Sequence, residues 1–209
     1  MTRAVWTDFG GVLTPPIEED TAAYCRRIDV PPKDFLAAMR TIGDAHGTDP
    51  MAPLDTPLLT IDEWAGRMAE ILRTEHGHTV DLSDFSAQWF ADRETNKDWL
   101  VRLEQLKADG YFVGLLSNMV PAWDSYWRQM VPVELFDDLV LSFKVGCRKP
   151  EPEIFQLAQQ RSGQPADACL LVDDSAANCE GATAAGWQAI HFTDTGAAID
   201  QLNELEEKS

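Results

Sequence analysis

The spacing of apolar residues changes twice along this chain. Residues 3–7, RAVWT, hold a short apolar run of strand length. Residues 14–19, TPPIEE, end it, because two prolines cannot sit in a central strand. From about residue 18 to 94 the pattern is helical, with no convincing strand. In TIDEWAGRMAEILRTEHG, Ile61, Trp64, Met68, Ile71 and Leu72 recur at helical spacing. Thr60 and Glu63 spell a capping box at its start. The stretch from Gly43 to Pro57 is rich in Gly, Pro, Asp and Thr and is expected to be a loop.

After residue 95 helices and strands alternate. NKDWLVRLEQLKADG is an amphipathic helix ending at Gly110. YFVGLLS is a buried strand, and a helix follows from about Pro121. DLVLS, ACLLV and QAIHF are further strands, separated by the helices EPEIFQLAQQRSG and SAANCEGATAAG. An acidic helix closes the sequence. Such alternation implies a parallel sheet covered on both faces, an α/β fold. One strand precedes the helical block and the rest follow it. The expected division is an α/β core from 1–15 and 95–209, with a helical domain from 16–94 inserted after the first strand.

Ligands of parallel sheets bind at the carboxyl ends of strands. Four polar clusters fall at such ends. Asp8 follows AVWT, Ser117-Asn118 follow GLL, Asp173-Asp174 follow CLLV, and Lys149 in CRKPEPEIF opens the helix after the third strand. Each alone is what a turn or a helix cap would use. Together they place carboxylates, a hydroxyl-amide pair and a lysine on one edge. Asp8 is a candidate nucleophile toward phosphorus. Asp8 and Asp174 could hold Mg²⁺, a hard ion that takes oxygen ligands. Lys149 would neutralise charge between nucleophile and phosphoryl group. Ser117, Asn118 and the backbone N–H groups of Phe9-Gly10-Gly11 would donate to phosphoryl oxygens.

With these residues in place, the chain resembles the haloacid dehalogenase-like hydrolases. DFGGVL is similar to their first motif, Asp-x-Asp-Gly. LLSNM is similar to the second, RKPEPEIF to the third and LLVDDSAANCEGATAAGW to the fourth. The resemblance spans residue 4 to about 192. It implies a Rossmann-like three-layer core with a small helical cap that closes over the leaving group and excludes water. It further implies Asp174 as a Mg²⁺ ligand with Asp173 as its acidic neighbour. The Gly10 carbonyl would be another ligand, and Asn178 would orient a metal-bound water.

Gly10 is the departure. Family phosphatases usually carry a second Asp there, which protonates the leaving group and then activates water. Glycine keeps the carbonyl and loses the acid-base group, a loss of ~10²–10⁴-fold for such catalysis. Sugar-1-phosphate phosphatases of the family have a similar Asp-x-Gly motif, and anomeric or acyl phosphates need the acid less. Glu18, Glu19, His46 or His76 could stand in for it. The family's metal-free 2-haloacid dehalogenases also lack the second Asp. They lack the acidic pair seen here as Asp173-Asp174 too, and that pair favours a cation. The expectation is a Mg²⁺-dependent phosphohydrolase acting on a small phosphorylated metabolite. Its rival is a catalytically silent relative that keeps the phosphate and metal pocket.

Composition narrows the partners. Of 209 residues, 17 are Lys or Arg and 35 are Asp or Glu, a formal charge of −18. General attraction to nucleic acid or an anionic membrane is therefore not expected. Cys25, Cys147, Cys169 and Cys179 show no CxxC spacing and read as isolated thiols. Asp8 interrupts the first apolar stretch, so no signal peptide is expected, and no run reaches membrane length. A cytoplasmic monomer or homodimer is the expectation. Trp64, Met68 and Ile71 read as the buried stripe of a helix. Trp123, Tyr126 and Trp127, after the second motif, read as core packing. His76 and His78 read as a helix end.

Overall fold

The computed structural model describes residues 2–207. The described chain divides into two compact units. One comprises residues up to Pro16, Glu94–Asn118 and Met130 onward; the other comprises Ile17–Arg93 and Met119–Gln129.

The first unit is built on five parallel strands: β1 Ala4–Thr7, β2 Phe112–Ser117, β3 Asp138–Leu141, β4 Cys169–Asp173 and β5 Gln188–His191. Their spatial order is β3-β2-β1-β4-β5. Every pair is parallel, so each connection is a crossover that lays helices against the sheet. All four residues of β1 and all five of β4 are buried. This explains their unbroken apolar character, since a sheet covered on both faces offers no polar side. Trp6 fills one face of the centre, with ring centroids 5.2 Å from Phe112 and 6.4 Å from Trp187. It pairs in register with Gly114, and a Cβ there would stand 2.3 Å from the indole. The large ring and the missing side chain are one packing solution. The order places β1 and β4 side by side at the centre, so Asp8 and Asp173-Asp174 leave the sheet as neighbours.

The second unit is helical, with helices Ile17–Arg27, Pro32–His46, Ala52–Asp55, Ile61–Glu75, Phe85–Phe90 and Asp124–Trp127. Thr60 caps Ile61–Glu75 through the expected box: its hydroxyl accepts from Glu63 N–H, and Glu63 accepts from Thr60 N–H. An aromatic cluster forms the core. Phe85 lies 4.9 Å from Tyr24 and 4.8 Å from Trp64.

Two expectations need correction. The stretch from Gly43 to Pro57 is not one loop. The helix Pro32–His46 buries Phe35, Ala38, Met39 and Ile42, and this apolar face carries it through Gly43 to its cap at Gly47. A short helix, Ala52–Asp55, follows. Residues 119–129, expected with the α/β core, cluster with the helical unit. Trp123 stacks on Trp89 at 5.7 Å and 11°, and Tyr126 stacks on Phe90 at 5.3 Å and 19°. Burial of those rings outweighs sequence adjacency to β2. Pro121–Trp123 is a 3₁₀ turn and only Asp124–Trp127 is α-helical, so the expected helix there is short.

Candidate active site

Asp8 follows β1 directly, and its N–H donates to Val172 O of β4 at 2.9 Å. The sheet ladder thus extends one residue past the strand and fixes where the carboxylate emerges. From the other side, Thr7 Oγ1 donates to Asp8 O at 3.0 Å and accepts from Trp99 Nε1 at 3.1 Å. The next residues turn sharply, with the N–H groups of Leu13 and Thr14 both donating to Phe9 O. Asn96 pins that turn, its Nδ2 donating to Val12 O at 2.8 Å and its N–H to Leu13 O.

Lys149 stands at the centre. It is 1% exposed, in the loop preceding the helix Pro152–Ser162 rather than on that helix. Its Nζ lies 3.0 Å from Asp8 Oδ1 and 2.5 Å from Asp173 Oδ2, and donates to Leu116 O at 2.6 Å. Burial alone would lower its pKa, but Asp173 and Asp8 outweigh that, and the net direction is upward. Lys149 is a fixed ammonium. Asp173, fully buried, has both oxygens committed. Oδ2 accepts from Lys149, and Oδ1 accepts from Ser175 N–H and Asn178 Nδ2, each at 2.9 Å.

Asp8 is pushed upward in pKa, chiefly by desolvation, with Asp173 adding and Lys149 and the Ser117 hydroxyl opposing. Asp174 is raised to about 7 by desolvation first, then by the charges of Asp8 and Asp173. Carboxylate oxygens of Asp8, Asp173 and Asp174 all lie within 4.8 Å of one another. One ammonium for three carboxylates leaves an excess of negative charge in a low-dielectric site. An oxygen-only donor set with that excess fits Mg²⁺.

The loop leaves space for this cluster. Gly11 has φ +73, and a Cβ on it would stand 1.9 Å from Asp174 Oδ2. Gly10 differs: a Cβ there meets no atom within 4 Å, and its backbone does not lie in the left-handed region. Glycine at position 10 is therefore not demanded by packing or backbone angle.

The fold brings together Asp8, Phe9, Gly10, Gly11, Ser117, Lys149, Asp173 and Asp174. Two predicted residues are used differently. Asn118 Nδ2 donates to Lys149 O at 2.9 Å, and Asn118 Oδ1 accepts from Lys149 N–H at 2.8 Å. Its side chain splints the lysine loop and keeps one Nδ2 hydrogen for a further acceptor. Asn178 spends an amide hydrogen on Asp173. The candidates for a substitute acid are all in the helical unit. Glu18 and Glu19 are exposed in the first turn of Ile17–Arg27. His46 Nδ1 bonds Ile42 O at 2.8 Å. His76 caps its helix, as expected of a helix end, and lies 3.4 Å from Asp34, which His78 approaches at 3.0 Å.

Sequence reasoning missed Thr7, Asn96, Trp99 and His191. His191 Nε2 lies 2.9 Å from Asp174 O. Nothing in a single sequence marks them, because each acts through a backbone or hydroxyl group brought near by the fold.

The family described as haloacid dehalogenase-like hydrolase matches residues 2–186. The chain belongs to that family. It is 24% identical over 218 residues to bifunctional epoxide hydrolase 2 of Rattus norvegicus, covering 97% of this chain and 38% of that protein. It is 31% identical over 105 residues to the sesquiterpene phosphatase astK of Aspergillus oryzae, covering 49% of this chain and 53% of that one. These matches thus span about two fifths to half of the relatives' lengths. A haloacid dehalogenase-like enzyme from Bacteroides thetaiotaomicron, crystallised with magnesium and inorganic phosphate, superposes with a TM-score of 0.67. It is 22% identical, and the match covers 91% of this chain and 93% of that one. That likeness establishes the fold.

Proposed function

We propose that this hydrolase is a Mg²⁺-dependent phosphohydrolase in which Asp8 is the nucleophile. The observation that carries the reading is the buried Lys149 ammonium held between Asp8 and Asp173, beside a third carboxylate, Asp174. A merely structural lysine gains little by such a position, because desolvating an ion pair costs several kcal/mol per ion. Phosphatases among the distant relatives add support.

Asp8, Asp174 and the Gly10 carbonyl would hold the ion, which when bound supplies positive charge for the phosphoryl oxygens. Asp8 attacks phosphorus, its oxygen forming the new P–O bond as the bond to the leaving oxygen breaks. The leaving oxygen takes a proton from solvent. Water then cleaves the acyl phosphate at phosphorus, returning the Asp8 carboxylate and inorganic phosphate. Lys149 opposes the desolvation that favours the neutral form of Asp8. The Ser117 hydroxyl also favours the charged form of Asp8. Asp173 fixes Lys149 and is itself fixed by Ser175 and Asn178.

No side chain at position 10 can protonate the departing oxygen. Leaving-group quality should therefore govern the rate, which favours acyl, anomeric or aryl phosphates. The test is a series of aryl phosphates. Rates should fall steeply as the phenol pKa rises, and Gly10→Asp, for which the backbone has room, should flatten that slope. A flat wild-type profile would place the proton donor elsewhere. A second reading rests on Gly10 alone: a silent relative that binds Mg²⁺ and phosphate without turnover. Dehalogenation is disfavoured because Asp173 and Asp174 side by side call for a cation.

A further inference from the structure

Asp174 sits between two peptide groups, and both are held. On its N-terminal side, Asp173 O accepts from Phe192 N–H at 2.8 Å, which extends the ladder between β4 and β5. On its C-terminal side, one peptide carries the Asp174 carbonyl and the Ser175 N–H. That N–H donates to Asp173 Oδ1 at 2.9 Å, and the carbonyl oxygen lies 2.9 Å from His191 Nε2. A carbonyl only accepts, so Nε2 carries the hydrogen and His191 is the donor. The peptide is clamped at one end by the Asp173 carboxylate and at the other by the His191 ring.

The two sides differ in what they ask of the sequence. Any residue but proline at position 192 supplies the backbone N–H. The bond to Asp174 O requires a side-chain donor. His191 ends β5 and pairs in register with Asp173. Neighbouring strands stand ~4.8 Å apart, and the imidazole spans that gap to the residue after its partner. An apolar side chain, which would continue the run of Ala189 and Ile190, has nothing to donate. His191 is exposed, so burial in the core does not account for it.

Asp174 depends on this clamp. Its carboxylate accepts no hydrogen bond from another side chain among the described residues. Gly11 hems it in, since a Cβ there would stand 1.9 Å from Oδ2. The carboxylate therefore occupies a narrow slot, and the backbone that carries it decides how it enters. Rotation of the Asp174–Ser175 peptide would swing the Asp174 Cα–Cβ bond away from that slot.

We infer that His191 is a positioning residue for the metal site: its Nε2–H holds the Asp174–Ser175 peptide so that the Asp174 carboxylate is aimed before the cation arrives. The inference rests on the reading of Asp174 as a Mg²⁺ ligand. Partners that orient a ligand in advance raise metal affinity without touching the metal.

The test compares the intact wild type with His191→Leu, which has no donor, and His191→Gln, whose amide presents an N–H at a similar reach. In the metal-free protein the Ser175 amide should exchange roughly 3- to 10-fold faster in His191→Leu, the factor one net hydrogen bond is worth. His191→Gln should restore the wild-type rate. Mg²⁺ affinity by calorimetry should fall by the same factor in His191→Leu and recover in His191→Gln. The urea midpoint should stay the same in all three, because the side chain is exposed. That separates aim from stability. Unchanged Mg²⁺ affinity in His191→Leu, or an equal loss in both variants, overturns the positioning role. No Mg²⁺ binding by the wild type overturns the metal reading instead; faster Ser175 exchange in His191→Leu then still upholds the clamp, and unchanged exchange removes it.

Discussion

Gly11 and Asp174 meet so closely that a Cβ on the glycine would stand 1.9 Å from the aspartate's Oδ2. The backbone at Gly11 is also left-handed, at φ +73. Gly11→Ala should cost ~1–3 kcal/mol from backbone strain and displace the Asp174 carboxylate. Mg²⁺ affinity by calorimetry should fall at least tenfold. Gly10→Ala should change stability by no more than about 0.5 kcal/mol. Equal behaviour of the two variants would contradict this account of the loop.

Lys149 is the only cation within bonding distance of both Asp8 and Asp173 among the described residues. Lys149→Met should destabilise by ~3–5 kcal/mol, because buried carboxylates are left without compensation. Adding Asp173→Asn should recover more than about 1 kcal/mol of that loss, since the pair is coupled. Urea denaturation of the two single variants and the double variant measures this. Simple additivity would show that the ion pair does not operate.

Burial pushes the Cys179 thiol up to about 12 and the Cys25 thiol up to about 11. Both should resist alkylation at pH 8 in the native protein, because the thiolate is the reactive form. Labelling should appear only as the chain opens, with Cys25 reporting the helical unit and Cys179 the sheet unit. Rapid native labelling of either, read by mass spectrometry, would contradict the packing described.

Trp123 joins residues 119–129 to the helical unit through its stack on Trp89. Trp123→Ala should cost ~3–5 kcal/mol, the range for truncating a large buried aromatic. Hydrogen exchange should rise first in Ile17–Arg93, not around β2. A rise confined to β2 would return the segment to the α/β core.

The five strands were legible because a parallel sheet buried on both faces leaves unbroken apolar runs, as in AVWT and CLLV. Asp8 and the Asp173-Asp174 pair were legible because they end or follow such runs, and Lys149 because it stands just before the next helix. The division of labour among the polar residues was not. Asn118 reads as a phosphate ligand in sequence, and its amide also splints the Lys149 backbone, a second task that the sequence does not show. Trp99 looks like a helix-face residue, yet its Nε1 anchors Thr7 behind the nucleophile. The helix across Gly43 was hidden because tertiary burial of Ile42 and Met39 overrode a weak local preference.

The most direct measurement is turnover of acetyl phosphate by wild type and by Asp8→Asn, each in Mg²⁺ and in excess chelator. Acetyl phosphate has a leaving group that needs no acid, so Gly10 is not limiting. Wild type with Mg²⁺ should turn over, and chelator should abolish the rate. Asp8→Asn should lose at least ~10³-fold, as removal of a nucleophile does, while its denaturation midpoint does not fall, because the lost carboxylate was one that burial disfavours. Undiminished turnover by folded Asp8→Asn, or full wild-type activity in excess chelator, would contradict the account.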